Sequence, residues 1–353
     1  MEKFAQLPNQ ERHDILQEAA SQRGLTDIIL EKDFWVCWTL KQLFLSPALS
    51  PYLTFKGGTS LSKAYGLIER FSEDIDLTIS REAPFLQVGL SPMDAGISGK
   101  ERERRIEALS TNAKSFVREI ALKDLSSEIS TQLGENSGWS VVLDPHDPDQ
   151  QTVLFYYPKV FEYSVGLNFS NFSLNQNNFS SAGYIRPHIK LEFGARGDIV
   201  PHESRRIIPY VAENFPDFFP APYADVTTLS VDRTFWEKVT ILHSLYHGSK
   251  IRDRMSRHYY DTYMLYKHGI AETAIQRSEL LGQVVQNKNL MFRDAKASYD
   301  TAKIGSLKIL PNPEQIEILK SDYSKMNEMF MGEHPDFNEL LSTLSELEYL
   351  VNA

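Results

Sequence analysis

Cysteines, long apolar runs and internal repeats are scarce or absent in this sequence. Cys37 is the single cysteine in 353 residues, so no disulfide can form within the chain. The N-terminal residues MEKFAQLPNQERHDI lack the apolar core of a signal peptide, and no apolar run approaches the length of a bilayer-spanning helix. These absences exclude a disulfide-stapled secreted domain, and we expect a soluble cytoplasmic protein with no membrane partner.

The sequence also lacks a net positive charge. Its formal net charge is −10, which argues against a surface that binds nucleic acid everywhere. The charge is uneven, because residues 233–268 carry seven basic and three acidic side chains, whereas residues 311–353 carry two basic and nine acidic ones. The basic segment is therefore a candidate RNA-contacting surface on an otherwise acidic chain.

A glycine turn between a strand and a helix is the first feature with chemical meaning. Gly57 and Gly58 follow a short aromatic and β-branched run, so they predict a sharp turn at the end of a strand. The apolar spacing that follows predicts a helix capped by Thr59 or Ser60. Free backbone N–H groups at such a turn suit a phosphate, and Lys63 adds a positive charge one turn into the helix.

The next segment supplies the opposite charge. In the sequence DIDLTI, apolar residues alternate with Asp74 and Asp76, so a strand places both carboxylates on one face. They would lie about 7 Å apart along the strand, a spacing from which they can bind hard divalent cations through oxygen. A metal opposite a phosphate cradle is what phosphoryl or nucleotidyl transfer requires.

These motifs resemble the glycine motif and the Asp-x-Asp strand of the AbiEii/AbiGii-type nucleotidyltransferase toxins. This MenT-like family belongs to bacterial type IV toxin–antitoxin and abortive-infection systems. GGTSLSK and RFSEDIDL carry the first part of the match. Four further blocks resemble family blocks in the same order, so that the resemblance covers most of residues 30–310. They are KDFWVCWTL at 32–40, IKLEFGAR at 189–196, FWEKVTILH at 235–243 and SRHYYDTYML at 256–265.

The resemblance implies an α+β protein in which helices flank a nucleotidyltransferase-fold mixed sheet and an all-helical C-terminal lobe follows. The chain is long enough for two lobes, and its apolar period is helical from about residue 231 to the end. We therefore expect a nucleotidyltransferase-like domain with N-terminal helices at 1–230 and a helical C-terminal domain at 231–353.

The block IKLEFGAR predicts a strand on which Lys190 and Glu192 share one face. If this strand neighbours the Asp-x-Asp strand, Glu192 becomes a third metal carboxylate and Lys190 a phosphate contact. Many nucleotidyltransferases have such a third carboxylate, so the resemblance favours this arrangement. The alternative is a surface ion pair between the two residues on a half-exposed strand.

The resemblance also implies polar residues around the nucleotide. It assigns to nucleotide binding Ser72 and the pair Glu237 and Lys238, and it places Arg257 and Asp261 nearby. Arg257 and Asp261 are also spaced i, i+4, so a simple salt bridge on a helix is an equal alternative.

Periodicity predicts the remaining elements. Alternation predicts strands at 139–143, 152–157, 161–169 and 184–193, with a hairpin loop at 168–181. Helical spacing predicts helices at 8–23, 26–44 and 100–133, and in the C-terminal region at 272–286, 291–303, 312–330 and 335–351. A zinc site at His243 and His247 is disfavoured. The two histidines share a helix face, but Ser244 stands where a metalloprotease motif has glutamate. Histidines that pack in the core or face RNA are therefore favoured over zinc ligands.

Together these patterns predict a metal-dependent nucleotidyltransferase that uses an NTP. Asp74, Asp76 and Glu192 would hold Mg²⁺ or Mn²⁺. The phosphates would be held by the glycine motif with Lys63 and Lys190, the motif contributing Gly57, Gly58, Thr59 and Ser60. The resemblance implies an RNA acceptor, at the 3′ end of tRNA, and a toxin that inhibits translation and growth. It also implies a cognate antitoxin encoded nearby.

Three alternatives remain from the sequence. A P-loop NTPase is disfavoured, because KGGTSLSK lacks the Gly-Lys-Ser/Thr ending. Nucleotidyl transfer to protein hydroxyls (AMPylation) would use the same residues, and the basic segment tilts the prediction toward RNA. A non-catalytic nucleotide-binding module is expected to lack one carboxylate, and both Asp74 and Asp76 are present.

Overall fold

One mixed β-sheet organises the molecule. The computed structural model describes residues 1–86, 91–135, 137–163 and 185–353. Across these ranges the sheet has seven strands: β1 (Leu53–Lys56), β2 (Asp74–Ile79), β3 (Ser140–Leu143), β4 (Thr152–Tyr156), β5 (Ile189–Gly194), β6 (His202–Ile207) and β7 (Ala224–Leu229). Their order is β3-β4-β5-β2-β1-β7-β6. The predicted mixed sheet is thus confirmed.

The register of the central strands determines which side chains meet. β2 runs parallel to β5 and antiparallel to β1, while β1 runs parallel to β7. In the β2–β5 pair, Asp74 lies opposite Lys190 and Asp76 opposite Glu192. In the β1–β2 pair, Lys56 lies opposite Asp76. Neighbouring strands are about 4.8 Å apart, so these polar side chains form one patch at the centre of the sheet.

Helices flank the sheet and make up the C-terminal region. In the first 230 residues they are α1 (Glu2–Ala5), α2 (Asn9–Arg23), α3 (Asp27–Leu45), α4 (Gly57–Lys63), α5 (Gly99–Phe116), α6 (Leu122–Leu133) and α7 (Tyr210–Asn214). A π-helical turn at Val117–Ala121 joins α5 to α6. The later helices are α8 (Val231–His247), α9 (Ser256–Lys267), α10 (Ile270–Gln276), α11 (Glu279–Met291), α12 (Ile316–Ser324) and α13 (Phe337–Asn352).

Two apolar cores hold these layers together. Helix α3 begins after Thr26, whose hydroxyl accepts a hydrogen bond from the N–H of Ile29, and it is buried along most of its length. Its Trp35 and Trp38 pack edge to face, with ring centroids 5.4 Å apart, in the core against the sheet. A second core joins the C-terminal helices and includes Leu61 of α4. The glycine turn therefore lies where the two cores meet.

Several predicted elements need correction. Helix α4 begins at Gly57, so neither Thr59 nor Ser60 is its N-cap. The predicted helix at 291–303 is wrong, because α11 ends at Met291 and only a 3₁₀ turn follows at Tyr299–Thr301. Strands β6 and β7 were not predicted. The hairpin loop at 168–181 and most of the strand at 161–169 lie outside the described residues.

Across the described residues, no helix combines the length and the apolar character that crossing a membrane requires.

Candidate functional site

Two carboxylates project from the centre of the sheet without a protein partner. Asp74 and Asp76 stand on one face of β2, where alternation places Ile75 and Leu77 in the core on the other face. Among the described residues, no group donates a hydrogen bond to either carboxylate and no cation lies within 4 Å of them. Both aspartates are half-buried, so a ligand in the cleft can reach their free carboxylate oxygens.

The electrostatic consequence is a large shift in acidity. Burial, reinforced by the nearby charge of Glu192, raises the pKa of Asp76 to about 7. Burial and the charges of Glu73 and Glu192 also raise the pKa of Asp74. Both shifts arise because the ionised forms lose water and face other carboxylates. A bound cation would offset this penalty.

The glycine turn approaches these carboxylates closely. Gly57 has a φ of +79°, and a Cβ built there would lie 1.9 Å from Oδ2 of Asp76. A Cβ on Gly58 would lie 2.6 Å from a guanidinium nitrogen of Arg70 and 2.8 Å from the hydroxyl of Ser72. Both positions need glycine for space, and Gly57 needs it for its backbone conformation as well.

Two buried hydroxyl groups hold the glycine turn in place. The hydroxyl of Thr59 donates to the main-chain oxygen of Asp74 and lies 2.9 Å from the hydroxyl of Ser72. The hydroxyl of Ser60 donates to the main-chain oxygen of Gly57 at 2.8 Å. Thr59 and Ser60 are fully buried, so their side chains support the turn. Ser72 faces the open side of it.

A cleft opens over the carboxylates between the sheet and the C-terminal helices. This central cleft has a volume of about 190 Å³. It brings together both glycines, Ser72, three carboxylates of the sheet and residues from α8, α9 and α11. Its charged lining residues are Lys56, Arg70, Asp74, Asp76, Glu192, Glu237, Lys238, Arg257 and Lys288. Residues far apart in sequence thus form a single site that mixes cations with carboxylates.

A buried ion network supports the cationic side of the central cleft. Asp261 is fully buried and accepts hydrogen bonds from Nε of Arg70 at 2.7 Å and from its Nη2 at 2.9 Å. Lys238 donates to the same carboxylate at 2.6 Å. Although burial opposes ionisation, these two cations hold the pKa of Asp261 well below its usual range. The network joins the segment between α4 and β2, which carries Arg70, to α8 and α9. It also holds in place two of the cations that line the cleft.

This network excludes one of the two predictions for α9. The salt bridge between Arg257 and Asp261 is not formed, because Asp261 binds Arg70 and Lys238. Arg257 instead lines the central cleft, and no carboxylate of the described residues lies within 4 Å of its guanidinium. Arg257 therefore presents an uncompensated positive charge to the cleft, whereas Asp261 lies behind the lining.

Glu192 and Lys190 combine both arrangements predicted for β5. The strand does neighbour β2, so Glu192 stands beside Asp76 and lines the cleft. The ammonium of Lys190 nevertheless forms an ion pair with Oε1 of Glu192, and Lys190 is not among the cleft-lining residues. Glu192 therefore lines the cleft while it is ion-paired with Lys190.

Lys63 lies elsewhere, which corrects the prediction of a phosphate contact. Its ammonium is buried 2.7 Å from a carboxylate oxygen of Asp33 and 3.6 Å from the ring centroid of Tyr210. The other oxygen of Asp33 accepts a hydrogen bond from the N–H of Tyr210 at 2.6 Å. Lys63 therefore ties α4 to α3 and α7 and does not line the central cleft.

Lys56, Arg70 and Lys288 are lining cations that the sequence did not single out. Lys56 directly precedes the glycines, so its position beside the motif was the one local signal. Arg70 is placed by main-chain pairing of its neighbours, since the N–H of Phe71 donates to the oxygen of Met329 at 2.6 Å. Lys288 comes from α11, and no sequence pattern links it to the glycine turn.

The donor set suits a hard divalent cation. As the side chains stand, no three His, Cys, Asp or Glu residues within the described ranges are grouped closely enough to hold a metal. Asp74 and Asp76 nevertheless present partnerless oxygen atoms on one strand face, which is the chemistry that Mg²⁺ prefers. His243 belongs to no such group, because its ring hydrogen-bonds Ser298, Thr301 and the N–H of Lys308.

Comparisons with known proteins found a family match and a similar solved structure. The family model for the nucleotidyl transferase AbiEii toxin of type IV toxin–antitoxin systems matches residues 38–343, which is most of the chain. Among solved structures, the chain is similar to MenT4, a nucleotidyltransferase toxin from Mycobacterium tuberculosis H37Rv. That similarity has 12% identity and a TM-score of 0.41, over 97% of this chain and 99% of that one. No protein with a curated description matches the sequence.

Proposed function

The chain belongs to the AbiEii family of nucleotidyltransferase toxins of type IV toxin–antitoxin systems, and we propose that its central cleft transfers a nucleoside monophosphate from an NTP to the 3′ end of tRNA. The observation that carries this proposal is the pair of partnerless carboxylates, Asp74 and Asp76, facing a glycine turn inside a cationic cleft. Nucleotidyl transfer needs charge neutralisation and positioning more than covalent chemistry, and this arrangement supplies both.

Each part of the central cleft has a role in the proposed transfer. The terminal hydroxyl oxygen of the acceptor attacks the α-phosphorus, and the bond from that phosphorus to the oxygen bridging to the β-phosphate breaks. Pyrophosphate leaves with the bridging oxygen, and the hydroxyl proton passes to solvent water. The glycine main chain and Ser72 hold the phosphates at the turn, with Lys56, Arg70, Lys238 and Arg257 around them.

A divalent cation, Mg²⁺ or Mn²⁺, bound by Asp74 and Asp76 with Glu192 would neutralise the charge of the phosphates during transfer. The support for these ligands is their shared strand face and the raised pKa of both aspartates. Lys190 would keep Glu192 oriented through their ion pair until the cation binds. Glu237 lines the same cleft, and we propose it as a contact of the nucleotide.

The proposal of RNA as acceptor is supported by the approach to the cleft. Lys250 and Arg252 are exposed on the segment that precedes α9, and Arg257 at the start of that helix lines the cleft. These cations offer a path for a phosphate backbone from the surface to the carboxylates. Modification of tRNA 3′ ends would block translation, and the family implies a cognate antitoxin that prevents this.

The proposal is tested with purified protein, its Asp76→Ala variant and the control Asp225→Asn. Asp225 on β7 forms an exposed ion pair with Arg206 on the edge strand β6, and it lines neither the glycine turn nor the central cleft, so its loss leaves the site intact. Each protein is incubated with total RNA, Mg²⁺ and one α-³²P-labelled NTP at a time, and the RNA is resolved on a gel. We expect label in a tRNA-sized band with the wild type and control, and at least about a hundredfold less with Asp76→Ala.

The other outcomes discriminate between alternatives. Label in a protein band with none in RNA would show that the protein is a transferase whose acceptors are protein hydroxyls and not RNA. Label that persists undiminished in Asp76→Ala would remove this carboxylate from the reaction. No label in any lane, with a tightly bound NTP, would favour a nucleotide-binding module.

A further inference from the structure

A second cleft adjoins the central cleft and meets it at Asp76 and Glu192. This side cleft has a volume of about 280 Å³ and shares Lys56, Asp76 and Glu192 with the central cleft. The central cleft contacts β2 at Asp74 and Asp76, whereas the side cleft contacts it from Asp76 to Thr78. The two clefts therefore follow one another along the sheet, with the carboxylates at their junction.

The side cleft has a wall suited to a flat ring. The guanidinium of Arg196 lies 4.9 Å from the ring centroid of Phe292, and the ammonium of Lys288 lies 5.0 Å from it. The main-chain oxygen of Arg196 accepts a hydrogen bond from Asn287 of α11 at 3.1 Å, so this wall is fixed to the helix. Bases stack on aromatic rings and on guanidinium planes, because all three are flat and polarisable.

The remaining lining of the side cleft includes both polar and apolar residues. The side-chain amide of Gln151 donates to the hydroxyl of Ser110 at 3.1 Å, and Asp147 accepts from the N–H groups of Gln151 and Asp149 at 2.8 and 2.9 Å. Leu109 and Ala113 are among the apolar lining residues. Amide, hydroxyl and carboxylate groups can pair with base edges and ribose hydroxyls.

Charge distinguishes the two clefts. Arg70, Lys238 and Arg257 line only the central cleft, whereas Asp147 and Asp149 line only the side cleft. A polyphosphate would be attracted to the first and repelled from the second. A base and its ribose are uncharged, so the side cleft can hold them without an electrostatic penalty.

We propose that the side cleft binds a nucleoside whose attached phosphorus or hydroxyl lies at the junction of Asp76 and Glu192. This inference rests on the proposed function, because the reacting groups must meet at those carboxylates. The nucleoside is that of the NTP or the terminal nucleoside of the acceptor, since both would present a base and a ribose to the side cleft.

The test compares Arg196→Ala and Gln151→Ala with the control Arg293→Ala. Arg293 is an exposed arginine that directly follows Phe292 and lines neither cleft. Calorimetry measures binding of a non-hydrolysable NTP analogue and of inorganic triphosphate, and steady-state kinetics gives KM and kcat for the tRNA acceptor. Thermal unfolding checks that each variant is folded.

Loss of stacking on Arg196 is expected to weaken nucleoside binding about tenfold. Weaker binding of the NTP analogue with unchanged binding of triphosphate would support the site and identify the NTP nucleoside. Unchanged binding of both, with a tenfold higher KM for tRNA and an unchanged kcat, would support it and identify the acceptor nucleoside.

Two results would overturn the inference while leaving the proposed function standing. Folded variants that change neither NTP binding nor the acceptor KM by more than twofold would show that the side cleft holds no nucleoside. An equal loss of triphosphate binding would show that it holds phosphates. If the wild type binds triphosphate and NTP with equal affinity and labels no acceptor, both the proposed function and this inference fail.

Discussion

Replacing Asp76 by asparagine is expected to stabilise the metal-free protein while it abolishes transfer. Asparagine has nearly the same shape, so it fits the close approach of Gly57, but it carries no charge. Burial and Glu192 raise the pKa of Asp76 from 3.8 to about 7, and each pH unit of such a shift corresponds to about 1.4 kcal/mol. At pH 8 the ionised carboxylate therefore lowers the free energy of unfolding by at most about 4 kcal/mol.

The pH dependence follows from the sign of this shift. Between pH 3.8 and 7 the folded protein binds the Asp76 proton and the unfolded chain does not, so the free energy of unfolding falls as the pH rises. Asparagine does not titrate, so the free energy of unfolding of the variant does not fall for this reason as the pH rises. Its advantage over the wild type should be about 4 kcal/mol at pH 8 and about 2 kcal/mol near pH 5.

Thermal unfolding in EDTA at the two pH values measures this difference. For a chain of this length, about 4 kcal/mol corresponds to a rise in Tm of roughly 5 °C. Millimolar Mg²⁺ should raise the Tm of the wild type but not of the variant, because ligand binding stabilises only a folded state with an intact site. Asp225→Asn should show neither effect. A variant less stable than the wild type at pH 8 without metal would refute the electrostatic argument.

Two further substitutions test the supports of the site. Gly57→Ala should lower the transfer rate at least about tenfold and lower Tm, because its Cβ would meet Asp76 at 1.9 Å. Its control is Gly66→Ala, which has a similar φ of +64° but no atom within 4 Å of the new Cβ, and equal effects of the two would contradict the role of close approach. Asp261→Asn should cost about 3–5 kcal/mol in urea unfolding, because it leaves the buried cations Arg70 and Lys238 without their carboxylate. A loss below about 1 kcal/mol would show that water replaces it.

The parts of the site that could be predicted from sequence depend on local geometry. Alternation places Asp74 and Asp76 on one strand face wherever that strand lies. The same rule places Lys190 and Glu192 together, and the structure adds only that β5 neighbours β2. A glycine pair likewise indicates that another group lies close to the backbone, without saying which group. At Gly57 that group is the carboxylate of Asp76.

The parts that could not be predicted depend on contacts between distant segments. Arg70 and Lys288 reach the cleft through pairing with the C-terminal segment and through the packing of α11. Strand β6, with the sequence HESRRI, has few apolar residues because it lies at the sheet edge, so it carries no alternation signal. Strand β7 does alternate buried Ala224 and Val226 with exposed Asp225, so its signal was present in the sequence.

Lys63 shows where a motif stops being informative. It belongs to the same seven residues as Gly57 and Gly58, and a positive charge near a phosphate turn is chemically reasonable. The glycines act through the absence of a side chain, so the backbone alone determines what they do. Lys63 acts through a long side chain whose partner is decided by tertiary packing, and the partner that packing provides is Asp33. A buried ion pair between α4 and α3 holds the glycine turn in place, so Lys63 serves the site by positioning the backbone that contacts Asp76.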